Sequence, residues 1–489
     1  MCFFVLVVAS AVHAEKCIFN HELLIVSHRK DNNAPYIQSF IEKLKDTDVD
    51  AVMCCPTMWR ANLFPSEVDP TWKRYRPGQP LSKFPSYDYI MRYLHAGGDP
   101  VKDTLDACRR CGKKFFISYR MNDHHYVTDK DWPTHNAIWR EHPEYWLGDS
   151  DTSPYTKKDN VRLFNYLLPP VRDYYFAILE ELCTKYDVDG VELDFQRFPK
   201  FFPADKLDEG ARVMTAFVQR IKEMMRRIGR ERGKSLQLCV RVPETPAKCA
   251  EAGLDVPGWD AARLVEMINI SPFYRHTMAL DIEGFRAATQ HAKLYGEMNY
   301  VTHQAAKNQF ARRYTTIEAY RATALNFFSR GVDGLSLFNY DYVPEKQRLR
   351  MTDGLKRITD IEFLRTQPQN YVLGNLSAVN EMTLEVIIPD NTCQRALLRV
   401  ETRKSCANLQ IAVSMNGRLL EPIQHEGTEL FPPLAQNESY PTPDVLKFYE
   451  VPRRWIVPGT NRIQLKNLDK KKGSCQFFSV EIGLYDSSK

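Results

Sequence analysis

Short apolar runs alternate with longer stretches of three- and four-residue apolar spacing through the first two thirds of the chain. The runs LLIVSH, DAVMCC, KFFISYR, GVELDF, LQLCVRV, EMINIS, AKLYGEM and GLSLFNY read as eight buried strands, and the stretches between them as helices. From Leu23 to Gly334 the strands begin about 44 residues apart, the spacing of a (β/α)8 TIM barrel with long loops. The clearest connector is EGARVMTAFVQRIKEMMRRIGRERGK, residues 209–234, a helical pattern that runs into Gly233 before the next strand. A doubly wound open sheet is the competing architecture, but no GxGxxG or GxxxxGK follows any strand. After about residue 365 the helical period stops. MTLEVIIP, ALLRVETR, LQIAVSMNG, KFYEV, NRIQLKN and CQFFSVEIGLY follow at short spacing, which predicts a smaller, jelly-roll-like β-sandwich. Within MNGRL, Asn416 and Gly417 predict a hairpin turn. The expected division is a barrel over 20–365, a linker over 366–375 and a sandwich over 376–489.

Composition narrows the class. With 489 residues, 44% apolar and 12% aromatic, the chain is globular and large enough for two or three units. Its 66 Lys and Arg are interspersed with 61 Asp and Glu, so no basic track runs along the chain and nucleic acid is not an expected partner. The opening MCFFVLVVASAVHA reads as a signal peptide over residues 1–14, with Val12 and Ala14 at the cleavage positions but no Lys or Arg after Met1; a secreted or periplasmic protein is expected. No other stretch has the length to span a bilayer. Of 12 cysteines one leaves with the leader, and the odd remainder is not a disulfide framework. Cys108 and Cys111 form a lone CxxC with no second pair, and adjacent Cys54 and Cys55 read as core filler, so no metal site and no cofactor are expected.

In a barrel the reactive groups lie at the carboxyl ends of the strands, and alternation separates interior from helix layer. On that parity Glu192, Asp194 and Gln196 point inward on strand four, with Val191, Leu193 and Phe195 outward. Strand three brings Ser118, Arg120 and Asn122, with Asp123 and His124 just beyond; strand five brings Arg241 and then Glu244. Glu297 is inward on strand seven after Gly296, read as leaving room for a ligand, while strand eight ends at Asn339, Tyr340 and Asp341 and strand one at His28 and Arg29. Burying so many charges is costly unless they pair or bind something. Ion pairs such as Glu192 with Arg241, or Asp194 with Arg197 or Arg120, are the structural alternative. His124 and His125 are adjacent rather than spaced H-x-H, which argues against a metal-dependent hydrolase. Trp59, Trp72, Tyr126, Trp132, Trp139, Trp146, Tyr274 and Tyr340 are candidate stacking rings or core anchors.

REHPEYWLG, followed by NYLLPPVRDYYFAILEELCTKYDVDGVELDFQRFPKFF, resembles the glycosyl-hydrolase-like barrel family widespread in bacteria, itself distantly akin to α-amylase-type glycosidases. The likeness covers residues 140–202, with weaker echoes in ISYRMNDHH, VRVPET and GVDGLSLFNY. It implies that Pro170 to Leu182 form the helix before strand four, that Tyr186 to Gly190 lead into it and that Asp194 ends it. Phe195, Gln196 and Arg197 replace the family's second acid or Tyr, so only Asp194 carries over. The sandwich resembles galactose-binding-type modules. The resemblance implies a glycoside hydrolase using two carboxyls on a carbohydrate substrate. Asp194 is the expected nucleophile or base and Glu297 the expected acid, with Glu244 the rival and Glu192 and Asp123 behind it. His28, Arg120, Asn122, Asp123, His124, Arg197, Arg241, Tyr274, Asn339 and Tyr340 are the expected substrate contacts, the arginines hinting at an anionic sugar. A non-catalytic carbohydrate-binding barrel is the alternative. Sequence does not set the oligomeric state.

Overall fold

The computed structural model describes residues 15–23, 34–74, 85–148, 162–305, 308–342, 352–374, 378–424, 445–469 and 475–486. Eight parallel strands close a barrel: β1 (Cys17–Glu22), β2 (Ala51–Cys55), β3 (Lys114–Arg120), β4 (Gly190–Asp194), β5 (Gln237–Pro243), β6 (Met267–Ser271), β7 (Lys293–Asn299) and β8 (Gly334–Phe338). Each pairs with its sequence neighbour, and β8 closes on β1 through Ile18↔Ser336. Seven strands fall where alternation placed them. The first does not: β1 is CIFNHE, and the apolar run expected there lies, beyond Leu23, outside the described residues together with His28 and Arg29. A barrel strand whose inward side carries Asn20 and Glu22 is not a continuous apolar run, so the neighbouring LLIV outcompetes it by pattern. The leader segment 1–14 is also outside the described residues.

The interior grades from apolar to charged along the barrel axis. Ile18, Ala51, Met53, Phe116, Cys239, Met267 and Tyr295 fill the amino-terminal half as a cluster separate from the helix layer. Gly190 and Gly334 make room there, because a Cβ would collide with the Phe116 ring at one and the Tyr295 ring at the other. One step up, Asn20, Ser118, Glu192, Asn269 and Ser336 are buried; at the carboxyl end stand Glu22, Arg120, Asp194, Arg241, Ser271 and Glu297, all buried. The outward residues Val191 and Leu193 join the large core under the helices, including α1 (Pro169–Lys185), α2 (Leu207–Glu231) and α3 (Ile317–Ser329). Gly233, with φ 68°, reverses the chain after α2.

The C-terminal unit is a pair of antiparallel sheets. Its strands are β9 (Gln369–Gly374), β10 (Glu381–Ile388), β11 (Arg395–Thr402), β12 (Ile411–Met415), β13 (Arg418–Leu420), β14 (Val445–Glu450), β15 (Gly459–Asn467) and β16 (Cys475–Tyr485). One sheet runs β9–β16–β11–β14, with the short strands Pro422–Ile423 on the edge of β14 and Ala378–Val379 on β16, and the other runs β10–β15–β12–β13. Asn416 and Gly417, with φ 50° and 78°, turn β12 into β13 as the sequence predicts. The expected linker is a correction: its Gln369–Gly374 pair with β16 from Leu484 to Ser479, so the sandwich begins inside it. Barrel and sandwich meet through polar side chains as well as apolar packing. A hairpin of Val301–Ala305 and Asn308–Tyr314 carries Arg313, which grips Glu401 with Nη1 to Oε2 at 2.7 Å and Nη2 to Oε1 at 3.0 Å, all buried. Asn326 on α3 donates to the Ile387 carbonyl at 2.7 Å.

Candidate active site

Arg241 is the hub of the barrel mouth. Its Nε donates to Glu297 Oε2 at 2.5 Å and its Nη2 to Glu297 Oε1 at 3.0 Å, a side-on fork. Nη1 donates to both oxygens of Asp194, at 2.9 and 3.1 Å, and Nη2 also to Ser271 Oγ at 2.9 Å. The guanidinium lies 3.9 Å from the centre of the Phe338 ring. Asp194 Oδ1 additionally accepts the backbone N–H groups of Gln196 and Arg197, each at 3.1 Å, so the tight turn after β4 aims two amides at the carboxylate. One residue pair deeper, Glu192 accepts from Ser118 Oγ at 2.6 Å and Asn269 Nδ2 at 3.1 Å. Burial, and then the neighbouring Asp194 charge, raise the proton affinity of Glu192. The two acids of β4 are thereby differentiated by their partners, the lower one facing a hydroxyl and an amide and the upper one a guanidinium and two backbone amides.

A second network lies toward β1 and β3. Arg120 bonds Glu22 Oε1 through Nη2 and Asp123 Oδ2 through Nη1 at 3.4 Å, and Tyr342 donates its hydroxyl to Glu22 Oε2 at 3.0 Å. Burial opposes the charge on Glu22, but Arg120 and then Arg197 outweigh it and hold the carboxyl below its usual range. Asp123 likewise is buried yet held well below the usual range, here by His125, whose Nδ1 sits 2.7 Å from Oδ1, and by Arg120 and Arg60. Arg60 pins this loop by donating to the carbonyls of Asp123 and His125, the latter at 2.9 Å.

The backbone at this rim is strained. Trp59, Tyr126, Phe198, Phe273, Tyr274 and Asn339 all have positive φ, from 41° to 82°, without being glycine. Left-handed bulky residues cost of order 1–3 kcal/mol each and cluster where function over-determines geometry.

The expected site residues therefore divide. Asp194, Glu192, Glu297 and Arg241 come together at one mouth, with Arg120 and Asp123 in the adjoining network. Arg197 is buried above Tyr274, its guanidinium 4.5 Å from the ring centre, and His124 stacks on Phe198. Asn339 is buried with Oδ1 unpartnered. Five expectations are corrected. Glu297 is fully buried with both oxygens engaged by the Arg241 guanidinium and Ser271, and this ion pairing, which Glu192 with its hydroxyl, amide and thiol partners lacks, marks it as an anchoring carboxylate. Gly296 faces the helix layer, where a Cβ would meet the Phe327 ring, so it opens no space for a ligand. Glu244 pairs with Lys248 on the following helix, outside the network. Asn122 spends its amide on Phe164 and Lys200 backbone groups, and Tyr340 packs its ring against Phe19 and Tyr320. Glu22, Ser271 and Tyr342 were not anticipated. Ser271 was legible as the inward end of EMINIS, and Glu22 as that of CIFNHE had the strand been placed. Among the described residues no group of three or more His, Cys, Asp or Glu side chains is arranged to hold a metal ion, and none of the eleven described cysteines is joined in a disulfide.

Residues 26–211 match the family Glycosyl hydrolase-like 10. The matched segment contains β2, β3 and β4, and so Asp194, Arg120 and Asp123. No curated protein matches the chain. Among solved structures, the glycoside hydrolase domain of PgaB (BpsB) from Bordetella bronchiseptica is similar at 10% identity and TM-score 0.46, covering 70% of this chain and 98% of its own. A maltogenic α-amylase, AmyB, from Thermotoga neapolitana is similar at 12% identity and TM-score 0.42, covering 79% of this chain and 91% of its own. A family GH18 chitinase from Cycas revoluta is similar at 12% identity and TM-score 0.41, covering 70% and 98%.

Proposed function

We propose that this chain is a glycoside hydrolase working through paired carboxyls at the mouth of its barrel. The observation that carries the reading is the differentiated acid pair of β4, which lies inside the segment matching the glycosyl-hydrolase-like family. In this reading Asp194 is the group that attacks the anomeric carbon or activates water, oriented by Arg241 and the two backbone amides. Glu192 is the proton-bearing member, and Glu297 and Ser271 act by positioning Arg241. The test is a screen against aryl glycosides and plant, algal and mucin polysaccharides. Asp194→Asn is expected to leave the fold intact and lower turnover by ~10²-fold or more on any substrate found.

One observation favours a second reading, a carbohydrate-binding barrel without turnover: the other expected proton donors, Glu297 and Glu244, are both held by cationic side chains. That reading predicts glycan binding by the wild-type protein with no cleavage, and binding that survives both Asp194→Asn and Glu192→Gln.

A further inference from the structure

Of the three buried arginines that gather around Asp194, two are spent within the protein. Arg241 is divided among Asp194, Glu297 and Ser271, and Arg120 between Glu22 and Asp123. Arg197 is different. It is only 4% exposed, yet its Nε and Nη1 have no hydrogen-bond partner. Among the described rim carboxylates, Glu22 bonds Arg120 and Tyr342, Asp123 bonds His125 and Arg120, and Asp194 bonds Arg241 and backbone amides, and none is hydrogen-bonded to the Arg197 side chain. Its own backbone N–H is one of those amides, which anchors the main chain of Arg197 beside the carboxylate assigned the chemistry, while its guanidinium lies close enough to Glu22 to help lower that carboxyl. Its position is fixed by rings on strained backbone, Tyr274 at 4.5 Å with φ 58° and Phe198 at 5.8 Å with φ 82°. His124, stacked on Phe198, adds a second unpartnered atom, Nδ1.

A guanidinium is always charged, and burying one with open donors is costly unless an anion completes it. Structural arginines in this same mouth show what completion looks like. We propose that Arg197 is the specificity determinant for a negatively charged substituent, a carboxylate or sulfate group, on the sugar held against Asp194. The inference rests on the functional reading above only in calling the ligand a sugar.

The test uses the full chain and reads binding separately from turnover. Thermal unfolding of wild type, Arg197→Met and Arg197→Lys is followed with methyl glucuronide, methyl galacturonide and sodium sulfate, each against sodium chloride at equal ionic strength, with methyl glucoside as the neutral control. The wild type is expected to be stabilised by at least one anionic probe and not by the neutral one. Arg197→Met is expected to bind that probe about ten-fold more weakly or worse, the loss of a charge-assisted hydrogen bond. Arg197→Lys keeps the charge, guards against a variant that merely misfolds, and is expected to retain a weakened response. No anion response in the wild type, or an equal one in Arg197→Met, overturns the proposal. Arg197-dependent anion binding with no glycoside cleaved removes the hydrolase reading and leaves this one, whereas cleavage without any such binding does the reverse.

Discussion

Two carboxyls on one side of one strand cannot both be ionised cheaply when buried, and β4 resolves this by giving each a different set of partners. Glu192 faces a hydroxyl, an amide and a thiol, all neutral, while Asp194 faces Arg241. A carboxyl whose proton affinity is raised on folding costs stability as pH rises: above its unfolded value, near 4.5, the unfolded chain sheds the proton that the native state keeps. Glu192→Gln is therefore expected to gain stability relative to wild type as pH is raised above 4.5, read from urea midpoints, while losing turnover by ~10²-fold if the proton is used in the chemistry. Glu297 behaves oppositely. Glu297→Gln removes one anion from a fully buried guanidinium and is expected to cost roughly 3 kcal/mol. A proton donor at the mouth would instead lose activity with stability intact, so an unchanged midpoint would return the acid role to Glu297. Alternation placed Glu192, Asp194, Arg241 and Glu297 inward correctly, because period two survives any register. Which of them meet was not legible, since the Glu297 contacts with Arg241 and Ser271 depend on how β5, β6 and β7 stagger around the ring.

At the scale of elements, the sequence reads well where burial is one-sided or complete and poorly where function interrupts it. β4, β7 and the sandwich strands sit almost on their predicted spans because their apolar positions are unbroken on at least one side. β1 was displaced by its own inward Asn20 and Glu22, the residues that make it part of the mouth. β9 falls inside the expected linker because QNYVLG is short and flanked by turn residues, and only its pairing with β16 makes it a strand. The insertion between β7 and β8 is the element that joins the two units, since Arg313 reaches Glu401 from it. A chain ending at Arg365 would strand that guanidinium and uncover the face of α3 that packs on β9 and donates to Ile387. It is expected to fold with lower stability, by about 3 kcal/mol or more from the broken pair alone. Because no described sandwich residue belongs to the mouth, turnover on a small soluble substrate is expected to persist below the lowered unfolding temperature. Loss of turnover in a folded truncated chain would place part of the site in the sandwich.

Across the whole molecule, buried titratable groups set a direction for acid sensitivity. His135, His276 and His303 are each buried, and burial lowers each from 6.5 to about 4. His276 shows why the neutral form is built in: its Nδ1 lies 3.0 Å from the Asn299 carbonyl and so must donate, and its Nε2 accepts from the Thr323 hydroxyl at 2.7 Å. His303 is further disfavoured as a cation by Arg313. Groups with depressed native values contribute stability that is present above the unfolded value and lost as pH falls through the native one. The histidines therefore act between 6.5 and about 4. Glu481, held to about 2 because Arg399 and Arg313 outweigh its burial, acts in the next window, from 4.5 down to about 2. Each histidine contributes on the order of 1–3 kcal/mol, so together they rival a typical net stability of ~5–15 kcal/mol. The unfolding temperature is accordingly expected to fall steadily as pH drops below 6.5, before the paired carboxylates titrate, and His303→Gln is expected to flatten that first slope. An unfolding temperature that stays level down to pH 4.5 and drops only below it would assign the acid sensitivity to the carboxylate networks alone.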